Sequence, residues 1–280
     1  MRFSKVHLEF GWAILSGIVR GRLSFPGGHR PVAGHTVSDA FVGVGVAAAE
    51  DPAVDDYILE RLREAGIRHV RLDFSPGDQD KAAGRLLSRL IADDLKVTLH
   101  LVQSFDDAKR MPAQDVSETW RVFVTRTLDR YGSAIEIVEA GSTTNRKRWA
   151  GHSIPGFLAM WEIVWKEVRA RGLTLAGPSV TDFEPLWNIG LLALLRKRGQ
   201  LPDLHTDNLF SERCTEPERY DHKILGRALA PQRVQQRLLR RLPPGVELVV
   251  GQHVGPDPSQ LAGTQAQLDA MAKDIAVLKE

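Results

Sequence analysis

A chain of 280 residues, 43% hydrophobic and 26% charged, is large enough to bury one substantial core and has the length at which α/β barrels run as a single domain. A formal net charge of +2, with only the short basic runs Arg146-Lys147-Arg148 and Arg196-Lys197-Arg198, leaves no stripe that could track a phosphate backbone, so nucleic acid is not an expected partner. The single cysteine, Cys214, excludes an internal disulfide and makes a poor metal site.

In chain order, the first element is an apolar run from Phe10 to Val19, preceded by Arg2 and Lys5 and followed by Arg20 and Arg22. It is too short to span a bilayer, and no small-residue cleavage site follows it, so a cytoplasmic chain is expected. The run reads as a packed N-terminal helix; contact with a headgroup surface is the alternative. Pro26-Gly27-Gly28-His29-Arg30-Pro31 reads as an irregular linker, which sets a boundary between an N-terminal helix and linker over 1–38 and a main domain over 39–280.

From Asp39 onward strand and helix alternate. Phe41 to Val46 is a short apolar run suited to a strand buried on both faces, and further strands are expected at 67–74, 95–102, 134–140, 173–177, 203–207 and 246–250. Helices are expected at 52–65, 79–94, 115–131, 155–171 and 185–198, the first with Pro52 at its start and Gly66 as its stop. Repeated β-α units point to an all-parallel sheet. An open doubly wound sheet is the rival, but no Gly-x-Gly-x-x-Gly loop follows the first strand, where Ala47-Ala48-Ala49 stand instead. The fold class expected is therefore α/β, a (β/α)8 TIM-type barrel.

In such a barrel the chemistry sits at the C-terminal ends of the strands. The polar residues there are Arg71 and Asp73 on the second strand, His100 and Gln103 on the third, and Glu139, Ser142, Thr143 and Asn145 on the fourth. The fifth contributes Ser179, Thr181 and Asp182, and the sixth His205, Thr206, Asp207 and Asn208. For Asp73 and Asp182 capping of a neighbouring helix is the competing role. Trp161 and Trp165, four apart, are expected on a packed helix face.

The fourth strand and its loop read Ile135-Glu136-Ile137-Val138-Glu139-Ala140-Gly141-Ser142-Thr143-Thr144-Asn145. This resembles the Glu-x-Trp-Asn-Glu-Pro-Asn strand end of the retaining glycoside hydrolases of clan A, family 39 being the nearest relative. Glu139 and Asn145 match the pattern; Gly141, Ser142, Thr143 and Thr144 do not. Thr143 stands where the resemblance implies the general acid, and a threonine hydroxyl holds its proton far too tightly for that task near neutral pH. The loop Asn145-Arg146-Lys147-Arg148-Trp149 is similar to the Asn-Arg-x-x-Trp loop of those enzymes, which implies that Asn145 binds sugar hydroxyls and that Trp149 stacks on a pyranose face. Trp149 could equally anchor the loop to the barrel rim. The resemblance also implies a sugar site lined by Asp73, His100, Thr143, Asp182, His205 and Asn208. Its nucleophile would end the seventh strand, where Gln252 stands and Glu247 lies at the opposite end. The catalytic residues are thus open, with Glu139 and Asp207 the carboxylates left as candidates.

All ten Phe, six Trp and three Tyr lie at or before Tyr220, so the tail over 230–280 differs in kind from a barrel wall. Residues 260–278 read as a final helix with no eighth strand in view. Either the barrel is incomplete and is closed by a partner chain or by that tail, or the tail derives from truncation or a shifted frame. Three functional readings follow: a glycoside-hydrolase-like protein acting on cell-envelope or exopolysaccharide sugar, bacterial in type; a non-catalytic relative that binds or scaffolds such a glycan; and a barrel enzyme for a small phosphorylated metabolite, which lacks its Gly-rich phosphate loop. A carbohydrate ligand is implied by the first two, and no cofactor or metal by any feature of the sequence.

Overall fold

The computed structural model describes residues 5–19, 43–181, 184–210 and 247–253. After helix α1 (Lys5–Val19) come β1 (Gly43–Val46), α2 (Pro52–Glu64), β2 (His69–Phe74), α3 (Ala82–Ala92), β3 (Lys96–Leu101), α4 (Phe105–Arg110) and α5 (Gln114–Tyr131). The chain continues with β4 (Ile137–Ala140), α6 (Lys147–Ala150), α7 (Ile154–Ala170), β5 (Thr174–Thr181), α8 (Pro185–Lys197), β6 (Leu204–Phe210) and β7 (Glu247–His253). The seven strands form one sheet in the order β1-β2-β3-β4-β5-β6-β7, every neighbouring pair parallel. Sequential parallel order, with helical crossovers from β1 to β6, is the arrangement of a (β/α) barrel, and among the described residues the sheet is open between β1 and β7. The 38/39 boundary, Cys214 and the final helix expected over 260–278 lie outside the described residues.

Local chemistry sets the element ends. Asp51 caps α2 by accepting from the Ala53 N–H at 2.9 Å, Pro52 opens the helix, and Gly66 at φ +65° releases the chain from it. Ser153 caps α7 in the same way, accepting from the Gly156 N–H at 3.1 Å. Two short helices escape a periodicity reading: α4 has six residues and α6 four. β5 also departs from expectation, running on to Thr181 rather than ending at Gly177. The extension works because Ser179, at φ +59°, takes up a bulge that shifts the register between Pro178 and Val180.

Period-two alternation divides β2, β3 and β4 between two environments. Val70, Leu72 and Phe74 of β2, Val97, Leu99 and Leu101 of β3, and Val138 and Ala140 of β4 are buried under the helices. Leu86, Leu90, Trp120, Val124, Phe157, Trp161 and Val164 meet them from the helical layer, all but closed to solvent. Trp161 is fully buried and donates its indole N–H to the Gln200 carbonyl at 2.8 Å, as a core tryptophan requires. Truncating such a side chain to alanine costs about 3–5 kcal/mol. An ion pair between the partly exposed Arg85 Nε and the buried Asp55 Oδ2, at 2.7 Å, fastens α3 to α2. The opposite face of the strands, carrying Arg71, Asp73, Thr98, His100 and Glu139, looks into the barrel lumen.

The helix α1 lies on α8. The Phe10 and Trp187 rings stand 5.0 Å apart, and Gly190 admits the contact, since a Cβ there would lie 2.3 Å from the Phe10 ring. Lys197 pairs with Glu9 at 2.8 Å. Leu8, Trp12 and Leu15 face away from α8 and are at least half exposed. Among the described residues no helix is long and apolar enough to cross a membrane.

Candidate functional site

Register brings Asp73, His100 and Glu139 into one cross-strand row on the lumen face, with Arg71 one level below on β2. Their side chains converge on the guanidinium. Arg71 Nε donates to Glu139 Oε2 at 2.5 Å, Nη1 to Asp73 Oδ1 at 2.8 Å, and Nη2 lies 2.7 Å from His100 Nδ1. His100 Nε2 is 2.8 Å from the Gly141 carbonyl oxygen, which only accepts, so that nitrogen carries a proton. Its Nδ1 stands 2.8 Å from Asp73 Oδ1 as well as beside the arginine. Arg71 Nη2, which only donates, can give its N–H to that nitrogen.

Burial alone would raise the Glu139 carboxyl, but the charge of Arg71 outweighs it, aided by His100, and the net effect holds Glu139 below its ordinary value. For Arg71 burial pulls downward, and the charges of Glu139 and Asp73 more than reverse it, so the guanidinium is held above its ordinary value. Glu139 is thus ionised and fully engaged. Asp73 differs, because 55% of its side chain is exposed against 4% for Glu139. It is the acid of the cluster that a ligand in the lumen can reach.

Above this row, the loops after β4 and β5 are fastened to each other. Thr181 N–H donates to Asn145 Oδ1 and Asn145 Nδ2 donates to the Thr181 carbonyl, both at 2.8 Å. Asn145 is buried and its amide mimics a strand partner, so it holds the loop rather than presenting that amide to a sugar. Arg146 pairs with Glu184 at 2.6 Å, and Thr144 N–H reaches the Ser179 carbonyl at 3.4 Å. Gly141, at φ +93°, allows this closeness: a Cβ there would sit 2.4 Å from the Pro178 carbonyl oxygen. Thr143, half-buried, adopts φ +53°, a left-handed conformation that a β-branched residue resists, and Ser179 in the β5 bulge is left-handed too, at φ +59°. Ser179 is held by Thr206 Oγ1, which accepts from its N–H at 2.9 Å, and by Asn208 Nδ2, which donates to its hydroxyl at 2.6 Å.

The remaining sequence candidates lie elsewhere. Asp207 and His205 face α8, not the lumen, because alternation along β6 gives the lumen to Thr206 and Asn208. There Asn188 Nδ2 donates to Asp207 Oδ1 at 3.0 Å and Asn188 Oδ1 lies 2.7 Å from His205 Nε2. All three are fully buried, which places Asp207 and His205 out of reach of a substrate at the strand ends. Burial raises the Asp207 carboxyl above its ordinary value, against the bond to His205. Trp149 is 69% exposed on α6, with the Arg148 guanidinium carbon 5.9 Å from its ring centroid. Asp182 lies outside the described residues, as do the side chains of β7. By backbone register Glu247 falls in the row of Leu204, and so in that of Glu139, while Gln252 pairs with Leu209. Sequence reasoning did not find Asn188; a lone amide in the apolar run Leu186-Trp187-Asn188-Ile189 was the available signal. Nor did it find His152, which is buried, with burial pushing its imidazole down to about 4. Among the described residues no group of three or more His, Cys, Asp or Glu is arranged to hold a metal ion.

No protein-family model and no curated protein matches the chain. Solved structures do. A glucosidase from Croceicoccus marinus superposes with a TM-score of 0.59 at 14% identity, over 78% of this chain and 51% of that one. A family 39 β-xylosidase from Caulobacter crescentus gives 0.55 at 16% identity over 82% and 57%, and a monomeric β-xylosidase from Caulobacter crescentus CB15 gives 0.53 at 16% identity over 74% and 51%. The chain thus spans little more than half the length of the structures it matches. At these identities the likeness is one of fold, the (β/α)-barrel fold of these glycosidases.

Proposed function

We propose that this chain is a glycoside-hydrolase-like protein that binds a carbohydrate at the C-terminal ends of its strands without hydrolysing it efficiently. The observation that carries the reading is the state of Glu139: this lumen-facing carboxylate is ionised, buried and bonded to Arg71, with a threonine where the resemblance implies a proton donor. Neither group is placed to protonate a departing sugar oxygen. Asp73, half exposed and backed by Arg71, is suited to accept from two neighbouring sugar hydroxyls. The proposal includes closure of the barrel beyond β7, by the tail after residue 230 or by a partner chain. The natural glycan we propose is a cell-envelope or exopolysaccharide chain, supported by the family resemblance alone. Should the protein touch a lipid surface, the outward stripe of α1 formed by Leu8, Trp12 and Leu15 is where contact would be made.

Calorimetric titration with xylo-, gluco- and envelope-derived oligosaccharides tests the reading. Binding that Asp73→Ala abolishes, together with undetectable turnover of aryl β-xylosides and β-glucosides, is the expected result. An aryl leaving group needs little protonation, so rapid release by the wild type would reveal a working nucleophile and overturn the non-hydrolytic part of the proposal.

A further inference from the structure

Helix α1 carries apolar side chains on two faces. Val6 and Phe10 turn toward the core, the Phe10 ring against Trp187 of α8. Leu8, Trp12 and Leu15, spaced four and three apart, form a second stripe that the barrel leaves uncovered, 67%, 68% and 50% exposed. Lys5, also exposed, continues that stripe one turn toward the N-terminus. Single apolar side chains in solvent are ordinary, but several in one stripe mark a surface that something covers.

Cations gather beside the stripe. Lys197, at the end of α8, pairs with Glu9 at 2.8 Å while its side chain stays 64% exposed. The bond to Lys197 holds the Glu9 carboxyl below its ordinary value, and the charges of Lys5 and Arg198 reinforce it, so three cations stand round one acid. Arg196, Lys197 and Arg198 are all exposed. Packing α1 on α8 thus carries a basic run from late in the sequence to the margin of an apolar stripe near its start. Acids are scarce here: Glu9 is the only one in residues 1–38, against five Lys and Arg, and α8 contains none. The surface is apolar along its ridge and positive at its edge.

We propose that this face of the protein docks on an anionic lipid surface, with Leu8, Trp12 and Leu15 seated at the headgroup level and Lys5, Lys197 and Arg198 against the phosphates. Tryptophan suits that boundary, having an apolar body and one N–H to leave in the polar layer. Contact rather than crossing is what the geometry allows. With 15 residues α1 is about 22 Å long, short of a hydrocarbon core of about 30 Å, and its other face is occupied by α8. An acidic peptide would answer the cations and leave the stripe in water. A second copy meeting this one through the same stripe would cover the apolar ridge but gather two positive patches round one interface, with Glu9 already engaged by Lys197. A lipid surface answers both features at once, since it offers apolar depth beneath a layer of negative charge. The inference is independent of the carbohydrate reading and uses none of the strand-end residues.

Co-sedimentation of the full chain with vesicles of mixed phosphatidylcholine and phosphatidylglycerol, and with vesicles of phosphatidylcholine alone, tests it. The mixed vesicles should bind the protein about tenfold or more tightly than the neutral ones, because each Lys or Arg near an anionic surface contributes about fivefold. Trp12→Glu should weaken binding to the mixed vesicles by about tenfold or more, the equivalent of one large apolar side chain kept in water. The pair Lys5→Gln and Arg198→Gln, which leaves Lys197 on Glu9, should weaken it by a similar factor and reduce the preference for the anionic lipid. All these residues are exposed, and circular dichroism of each variant checks that the fold is kept. No binding to the mixed vesicles, equal binding to both kinds, or full retention by Trp12→Glu would overturn the proposal. Self-association in sedimentation velocity that Trp12→Glu abolishes, with no vesicle binding, would assign the stripe to a second copy and overturn it as well.

Discussion

Replacing Glu139 by Gln keeps the shape of the side chain and removes the charge that Arg71 meets at 2.5 Å. Deleting one member of a buried ion pair usually costs about 3–5 kcal/mol, because the surviving charge is stranded. Here it is not stranded. Arg71 retains Asp73 at 2.8 Å and a side chain that is 20% exposed, so the loss reduces to that of a charged hydrogen bond, about 1–3 kcal/mol. In a chain of this length each kcal/mol moves the melting temperature by about 2–4 °C, so a fall between a few degrees and about 10 °C is expected near pH 7. The pH dependence provides a second check. Glu139 is held below its ordinary value of 4.5, so its stabilisation is complete above that pH and is lost as pH falls through the lower folded value. Melting followed by circular dichroism from pH 7 downward should therefore show the wild type and Glu139→Gln converging in acid. A constant gap would refute the ion-pair argument, and an unchanged melting temperature with loss of glycoside turnover would make Glu139 catalytic.

Three further outcomes follow from the site geometry. Gly141→Ala would bring a Cβ to 2.4 Å from the Pro178 carbonyl oxygen at a φ of +93°, and should lower stability by more than about 2 kcal/mol in urea denaturation. Thr143→Gly relieves a β-branched residue at φ +53° and should stabilise the chain by about 1 kcal/mol, measured the same way; a loss of stability would mean that the hydroxyl or methyl makes contacts worth more than the strain. Asp207 is held above its ordinary value of 3.8, so the folded chain binds that proton more tightly than the unfolded one, and its stability contribution declines as pH rises from 3.8 through the folded value. Asp207→Asn should thus gain on the wild type as pH rises across that window in melting experiments, and a widening advantage for the wild type would contradict the burial argument.

Most strands were legible as short runs rich in Val, Ile and Leu between turn signals. Side-chain facing was legible on β2 and β3, where Val70, Leu72 and Phe74 interleave with His69, Arg71 and Asp73. It was not legible on β6. His205-Thr206-Asp207-Asn208 is polar at every position, so the sequence contains no apolar phase from which to tell lumen from helix layer, and a shift of one residue exchanges the two sets. The partner that fixes the phase is Asn188, far away in α8, whose amide requires polar groups behind the sheet. The helix α4 had a local signal, Ser104 and Asp107 in capping positions, with Asp107 N–H donating to Ser104 Oγ at 3.1 Å, but at six residues it lacks the length for a periodicity. For β5 the bulge that prolongs the strand depends on Thr206 and Asn208 gripping Ser179 from the next strand, a tertiary contact with no local trace.

The same contacts explain why a threonine persists in a conformation it disfavours. Left-handed backbone at Thr143 and Ser179 costs of order 1–3 kcal/mol for each residue, and such geometry survives only where the surroundings over-determine it. They do so here: the Asn145 amide, the Arg146–Glu184 pair and the close approach at Gly141 lock the β4 loop to the β5 loop from three sides. A loop held this firmly presents the Thr143 hydroxyl at a fixed place, able to donate or accept a hydrogen bond but not to release a proton near neutrality. Binding a hydroxylated ligand benefits from that rigidity, since little ordering is left for the ligand to induce. Acid catalysis gains nothing from it without a carboxylic acid. The mechanical fixation of the loop and the chemistry of its side chain therefore both support the proposed reading, in which this strand end recognises a ligand.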